Sequence, residues 1–172
     1  MRIRTLLLEA SVTAMVAAAG IAYAADLSSA DKQFVMRAAK DDMTEAHEGQ
    51  MAETQAQHAQ VKDFAKTLVA DRTEAYQELG VLAAKIGVTI PNGIDAGKDP
   101  TIRQLVHMKG ASFDRQFSAD EIAADRREIA LFKREALHAR DAGVKDYASK
   151  MLPTLEKDLR LAEACEKSGG RA

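Results

Sequence analysis

Four charged residues interrupt the apolar repeats of this 172-residue chain, at positions where a helical protein places its core. They are Asp42, Arg72, Asp125 and Asp158. A guanidinium is a planar, forked cation that can bind two carboxylates at once. Charges are rarely buried unless they are paired. The spacing therefore predicts a buried polar network, in which Arg72 pairs with the aspartates and fixes the register of the helices.

The same carboxylates offer a second chemistry, a metal site built from oxygen ligands. Its candidate ligands are Asp42, Glu45, Asp125 and Asp158. Oxygen ligands suit a hard divalent ion such as Mn²⁺ or Ca²⁺. A guanidinium at the same level would repel that ion. We therefore expect that the protein binds no cofactor; the alternative is a bound divalent metal ion. A ferritin-type di-metal centre needs two Glu-x-x-His pairs, whereas the chain has one, Glu135 and His138, which the periodicity directs away from the apolar face.

The other reactive side chains indicate no enzyme class. The polar residues His47, Glu48, His58 and His107 are predicted to lie on the surface. Apart from Asp125 and Asp158, so are the charge runs at 125–128 and 156–158, which alternate in sign as solvated helix faces do. Cys165 falls on an apolar seam, where we expect a small buried side chain. The alternative is a disulfide that joins the cysteines of two chains in a dimer. The chain has neither a Gly-x-Ser-x-Gly elbow nor a glycine-rich phosphate loop. The protein is therefore expected to be non-enzymatic.

Composition and periodicity predict an all-α fold that would position these residues. The chain is 47% hydrophobic, 29% charged and only 5% aromatic, which favours helices over sheets. Apolar steps of four and three predict long helices at 28–57, 61–86, 113–140 and 144–168, and Pro153 should kink the last of them. Residues 88–100 are a predicted loop, and a short helix follows at 101–109. Two helical hairpins joined by such a crossover form a four-helix bundle of ferritin-like topology.

Net charge limits the possible partners, and length and cysteine content limit the type of fold. The formal net charge is −2, so the chain has no basic footprint for nucleic acid. Its length favours one domain, and its single Cys excludes a disulfide scaffold and any Cys-rich metal cluster.

The first two dozen residues have the pattern of a secretory signal peptide. Arg2 and Arg4 precede the apolar stretch 11–21, and Ala22-Tyr23-Ala24 has the small-x-small pattern of a cleavage site. Glu9 is atypical, but it also leaves the apolar run short of the roughly 20 residues that a membrane span needs. We predict cleavage after Ala24, a periplasmic location, no transmembrane segment in the mature chain, a bundle domain at 25–168 and a flexible tail at 169–172.

An internal repeat accompanies the two predicted hairpins. Val-Lys-Asp-Phe-Ala at 61–65 returns as Val-Lys-Asp-Tyr-Ala at 144–148. The pentapeptides at 56–60 and 136–140 are also similar, which would give the second copy three extra residues in its turn. Duplication and convergence on helix-favouring residues are both open explanations.

With these elements placed, the sequence resembles the bacterial family of domain of unknown function 4142. The matching stretches are FVMRAAKDDMTEAHEG (34–49), VKDFAKTLVADRTEAYQEL (61–79), FDRQF (113–117), IALFKREA (129–136) and VKDYASKMLPTLEKDLRLA (144–162). The resemblance implies an exported, ferritin-like helical bundle with no established activity. It also implies a change in this chain, since family members usually carry His at the positions of Arg72, Asp125 and Asp158.

These observations favour one function over two alternatives. The first expectation is an exported, non-catalytic bundle that binds a protein or small ligand or supports tolerance of envelope stress. The first alternative is a ferritin-like metal-binding or redox protein that uses core carboxylates. The second is an interaction module that forms a homodimer.

Overall fold

The computed structural model describes residues 27–169, and every regular element among them is a helix. The predicted residues 1–24 and 170–172 of the leader and the tail lie outside this range. The helices are α1 (Ser29–Gln55), α2 (Ala59–Lys85), α3 (Pro100–Leu105), α4 (Gly110–His138) and α5 (Ala142–Gly169). The predicted all-α bundle is confirmed, with the ends of the four long helices within about three residues of those expected, while α3 ends four residues before the predicted 109. Gly169, which was expected to begin the tail, is instead the last residue of α5.

Local side chains explain where the helices begin. The Ser28 hydroxyl accepts a hydrogen bond of 3.0 Å from the Asp31 backbone N–H, which caps α1. The Asp99 carboxylate does the same for Thr101 and Ile102 at the start of α3, where Pro100 occupies the first turn. Pro153 lies inside α5 without ending it.

The four long helices form two antiparallel hairpins, α1–α2 and α4–α5. Helix α4 packs against α1, and α5 packs against α2. Contacts between Asp31 and Arg140 at one end of the bundle and between Gln57 and Asp114 at the other make α1 and α4 antiparallel. Since α2 and α4 then run in the same direction, the crossover at 86–109 travels the length of the bundle. This long crossover between the two hairpins is the predicted one; the likeness to the ferritin fold stays a prediction.

Two separate apolar clusters form the core. Near the turn between α4 and α5, the rings of Phe34, Phe132 and Tyr147 pack edge to face or at a tilt. Near the opposite end, Phe64, Phe113 and Phe117 form the second aromatic group. The segment between the clusters is polar in the sequence of all four long helices, and it holds the candidate site.

One close approach sets the spacing of α1 and α2. A Cβ atom at Gly49 would lie 2.8 Å from a methyl group of Val69 and 3.2 Å from the Ala65 carbonyl oxygen. Glycine therefore allows the two backbones to meet directly beside the polar segment.

No helix of the described residues is both long and apolar enough to cross a membrane.

Candidate functional site

A layer of buried charge crosses the middle of the bundle, and no member exposes more than 4% of its surface. Helix α1 contributes three carboxylates, α4 three, α5 one and α2 the one guanidinium. The members are Asp42, Glu45, Glu48, Arg72, Glu121, Asp125, Glu128 and Asp158. We call this set the acid layer.

Arg72 lies at the centre of the acid layer and contacts the three other long helices. Its Nη2 atom donates a hydrogen bond of 2.9 Å to Oδ1 of Asp125. Its Nη1 atom lies 3.2 Å from Oε2 of Glu128, and its Nε atom lies 2.7 Å from Oε2 of Glu45 without the alignment of a hydrogen bond. Oδ2 of Asp158 is 3.7 Å from Nη2, at ion-pair distance. One side chain therefore ties α2 to α1, α4 and α5 at a single level.

The position of Asp42 corrects part of the predicted network. Asp42 is buried, at 3% exposure, but forms no ion pair with Arg72 among the described contacts. On α1 the place beside the guanidinium belongs instead to Glu45, one turn further along the helix. On α4, Glu128 joins the predicted Asp125 there.

Burial controls the protonation of the acid layer. Loss of hydration raises the pKa of Asp125 to about 7 despite the opposing charge of Arg72, and it raises the pKa of Asp158 to about 6. Burial also lifts the pKa values of three further acids well above their ordinary range: Asp42, Glu45 and Glu121. Burial by itself would lower the pKa of Arg72, but the surrounding carboxylates raise it, so Arg72 stays charged. The layer therefore holds protons at neutral pH.

A second pair of acids lies in the same layer, where Glu48 of α1 meets Glu121 of α4. Burial raises the pKa of Glu48 to about 7, although the neighbouring Glu121 carboxyl opposes part of the rise. Glu121 is fully buried, and neither acid forms an ion pair among the described contacts. Such a pair is stable when the two carboxyls share a proton.

A cleft of about 240 Å³ reaches the acid layer from solvent between α1, α4 and the start of α3. Glu45, Glu48 and Glu128 form its inner wall. Its mouth carries both signs of charge, with side chains that include Arg37, Lys40, Asp41, Asp99, Asp120 and Arg127. Protons can therefore exchange with the layer without opening the bundle.

The structure also corrects the predicted metal ligands. The carboxylates that offer oxygens within 4.8 Å of one another are Glu45, Asp125 and Glu128, rather than the predicted set with Asp42 and Asp158. Arg72 contacts all three of these carboxylates. The guanidinium occupies the space that a bridging ion would need, so the donor set does not fit a resident metal while Arg72 stays in place.

Some polar residues outside the predicted set are also buried. Glu48, Glu128 and Glu135 are each 4% exposed, so the predictions that they face solvent are wrong. Helices α1 and α4 contact each other through faces that apolar periodicity does not mark, because carboxyls line those faces. Arg134 neutralises Glu135 with two hydrogen bonds, of 3.0 and 2.8 Å, while His138 is exposed, as predicted.

The internal repeat, aligned in its correct register, relates the buried acids of α1 to those of α4, including acids that periodicity did not identify. Asp31, Phe34, Asp42 and Glu45 of α1 each lie 83 positions before the same residue type in α4: Asp114, Phe117, Asp125 and Glu128. The α1–α2 and α4–α5 connections both span three residues, 56–58 and 139–141. The expected insertion of three residues is therefore wrong, and the pentapeptides at 56–60 and 136–140 are not structurally equivalent. The constant spacing would have paired Glu45 with Glu128.

The backbone of the turns shows the same symmetry. The Asp31 carboxylate accepts hydrogen bonds from the backbone N–H groups of Arg140 and Asp141 in the α4–α5 turn. Asp114 accepts from those of Gln57 and His58 in the α1–α2 turn, both at 2.9 Å. Each hairpin thus supplies the aspartate that binds the turn of the other.

Comparison with protein families decides the assignment. A family model described as domain of unknown function DUF4142 matches residues 16–165. The chain belongs to the DUF4142 family. No curated protein matches this DUF4142 chain.

Solved structures with the same fold are distant in sequence. A DUF305 fragment from Deinococcus radiodurans superposes with a TM-score of 0.70 at 16% identity, over 85% of this chain and 99% of that one. CopM in its Ag-bound form gives 0.65 at 14% identity, over 80% and 96%. CopM in its Cu(II)-bound form gives 0.64 at 12% identity over the same shares. At such identities the likeness concerns the fold alone.

Proposed function

We propose that this protein is an exported, non-catalytic binding protein of the bacterial periplasm that serves tolerance of envelope stress. In this proposal the acid layer is a structural ion cluster that fixes helix register, and ligands bind elsewhere. The observation that carries it is the placement of Arg72, whose three guanidinium nitrogens each lie within 3.2 Å of a different carboxylate. An internal cation of this kind replaces the metal that so many inward carboxylates would otherwise bind.

Metal analysis of the purified protein tests the structural role of the acid layer. The protein is dialysed first against Mn²⁺, Fe²⁺, Ca²⁺ or Zn²⁺ and then against buffer without metal, and its metal content is measured by mass spectrometry. We expect less than one tenth of an equivalent of each metal. One equivalent of a metal that disappears in the double variant E45Q/E128Q would contradict the structural role. The variant D95N, altered at an exposed crossover carboxylate, is the matched control.

Export rests on the pattern of residues 1–24 and has its own test. Expression of the full chain in a Gram-negative host should release a periplasmic protein whose N-terminal residue is Ala25. Replacing the small residue before the cleavage point with a bulky one, A24F, should block processing. A cytoplasmic protein that keeps residues 1–24 would refute the location without affecting the account of Arg72.

Metal binding by the core is the second candidate, and a specific observation favours it. Glu45, Asp125 and Glu128 offer oxygens within 4.8 Å of one another, beside a cleft open to solvent. The CopM structures also support it, because that protein is described in Ag-bound and Cu(II)-bound forms. An ion could enter only if Arg72 moved away. This candidate therefore predicts that R72A raises the affinity for Mn²⁺, whereas the structural proposal predicts that R72A unfolds the protein at lower urea concentration.

Homodimerisation remains as an alternative, but Cys165 does not favour the disulfide form. Cys165 is 1% exposed, and its thiol contacts the Gln60 carbonyl oxygen at 3.6 Å. A partner cysteine could not reach it without local opening of α5.

A further inference from the structure

We infer that the cleft between α1, α4 and the start of α3 binds a small zwitterion, a linear amino acid with an ammonium group at one end and a carboxylate group at the other. The inference rests on the proposed binding role and names a ligand class for it. The ligand would lie in the cleft itself, outside the cluster of acids that contact Arg72. It would meet the acid layer at Glu48, which lines the cleft.

Charged groups of both signs line this cleft without pairing with each other. The carboxylates of Glu48, Asp99 and Asp120 form no ion pair within the part of the chain that the structure describes, and neither do the cations Lys40 and Arg127. The other charged residues of the lining already have ion-pair partners. A ligand that carries both charges could neutralise the two unpaired sets at once.

Helix α4 holds the two kinds of charge at opposite ends of the cleft. Asp120 and Arg127 are seven residues apart, so they lie within about 20° of each other around the helix and about 10 Å apart along it. Ala123 and Ala124 lie between them and also line the cleft. Because alanine has no long side chain, the space between the acidic and the basic end stays open.

Helix α1 repeats this order of charges on the other wall. Glu48 meets Glu121, the residue after Asp120, so its carboxyl belongs to the acidic end. Lys40 lies two turns earlier on α1, toward the basic end, since α1 and α4 are antiparallel. Thr44 stands midway between Glu48 and Lys40 and lines the cleft, and its short side chain leaves the gap open on this side too.

Glu48 is the inner acceptor that an ammonium group would contact. It is 4% exposed and accepts no hydrogen bond from an N–H group of the described residues. Burial raises its pKa to about 7; among the charged groups that face it, Asp99 and Asp120 raise the pKa further, whereas Glu121 and Arg127 lower it. A bound ammonium group would favour the ionised carboxylate and would donate up to three hydrogen bonds at the acidic end.

The size and charge of the cleft favour a zwitterion over simpler ions. Its volume of about 240 Å³ is just below the range of pockets for drug-sized ligands, so it has room for a small organic molecule. Arg127 and Lys40 would repel a diamine, and the three unpaired carboxylates would repel a simple anion. Among the described residues, the one group of carboxylates close enough together to hold a metal ion contacts Arg72 instead.

Isothermal titration calorimetry tests the site with the series of linear amino acids from glycine to 6-aminohexanoate, in a low-salt buffer at pH 7.5. We expect one equivalent of at least one member to bind at least about tenfold more tightly than the amine or the carboxylic acid of the same chain length, because each of those satisfies one end of the cleft. The longer members should bind best, since the two ends are about 10 Å apart. No binding by any member, or equal binding of the matched amine or acid, would overturn the inference.

Isosteric variants at the two ends provide the matched comparison. E48Q and D120N at the acidic end, and R127Q at the basic end, should each weaken binding by at least about tenfold. The controls are E53Q and R126Q, altered at exposed positions outside the cleft, and both should bind as the wild type does. Because Arg127 is exposed and forms no described ion pair, R127Q decides the question even where E48Q fails to fold. Wild-type affinity in the double variant D120N/R127Q would overturn the inference.

Proton release separates ligand contact at Glu48 from a purely structural role. Ammonium binding at the ionised carboxylate displaces the proton that Glu48 holds below pH 7, so affinity should rise from pH 6 to 8 and titrations at pH 6.5 in buffers of different ionisation enthalpy should show protons released. In E48Q, the rise and the release should both disappear. Affinity that falls with rising pH would overturn the inference. Since the metal content and the urea stability of Arg72 variants are measured without amino acid, failure here would leave the account of the acid layer standing.

Discussion

Arg72 of α2 donates a hydrogen bond of 2.9 Å to Asp125 of α4, across the diagonal of the bundle. Both residues are essentially inaccessible to solvent, at 1% and 0% exposure. The same guanidinium reaches Glu45 on α1 and Asp158 on α5. The midpoint of this bundle is therefore fixed by directional charge contacts, where an apolar core would tolerate sliding of the helices.

The protonation of the acid layer makes stability depend on pH. Because the folded pKa values of Glu48 and Asp125 rise to about 7, the native state binds more protons than the unfolded chain between pH 5 and 8. The contribution of these groups to the free energy of unfolding should therefore be greatest below about pH 4, the ordinary range of a carboxyl pKa, and fall as pH rises from there through 7.

Urea titrations at several pH values check this dependence. Since an amide cannot ionise, E48Q should flatten the fall between pH 5 and 8, and D125N should do the same in part. E53Q, altered at an exposed α1 position, is the control. A wild-type protein that gains stability from pH 5 to 8 would refute the assignment of raised pKa values.

The exchanged turn contacts predict matched losses of stability. D31A and D114A should each destabilise the protein by about 1–2 kcal/mol, because each leaves two turn N–H groups without an acceptor. The sites lie at opposite ends of the bundle, so the losses should add in the double variant. Exposed Asp63 gives the control, D63A, with an expected effect within about 0.5 kcal/mol. Unequal losses, with one near zero, would contradict the equivalence of the two turns.

The contact at Gly49 predicts opposite effects at two helical glycines. G49A should destabilise the protein by about 1 kcal/mol or more, because the new methyl group meets Val69 and the Ala65 carbonyl. At Gly80 the nearest atom would be 3.7 Å from the added Cβ, so G80A should stabilise α2 by up to about 1 kcal/mol. Thermal unfolding of both variants gives the comparison, and stabilisation by both would show that α1 and α2 do not approach closely at Gly49.

The burial of Cys165 predicts that its thiol reacts slowly with alkylating reagents. Burial raises its pKa to about 11, so the native protein should react with a maleimide at least a hundredfold more slowly than the urea-unfolded chain. Light scattering should give the same mass with and without reductant. A dimer that reductant dissolves would restore the disulfide alternative.

Periodicity was sufficient to predict the fold. Apolar steps of four and three located α2 and α5, and the proline- and glycine-containing segment at 88–100 marked the crossover. Periodicity failed on the facing sides of α1 and α4, where Glu48 and Glu128 replace apolar residues. The sequence does not show whether a glutamate is buried or solvated, because only its partners in the folded protein distinguish the two.

The predicted site shows the same limit. Arg72, Asp125 and Asp158 were found because each stands where an apolar residue is due, and all three meet in the structure. Glu128 was missed because it stands beside Arg126 and Arg127 in a run that looks solvated. Glu45 rather than Asp42 contacts Arg72, and periodicity alone does not tell which of two acids one turn apart makes that contact.

The central claim is that Arg72 is a structural counter-ion for the carboxylates around it. The measurement is urea unfolding at pH 8 with a chelator present, for R72L and for R72L combined with E45Q, D125N and E128Q. R72L should lose about 3–5 kcal/mol, because buried carboxylates are left unpaired. The control R126L breaks an exposed ion pair with Glu163 and should lose less than about 1 kcal/mol. The account predicts that the combined variant recovers more than half of the R72L loss; a neutral R72L, or a combined variant no more stable than R72L, would contradict it.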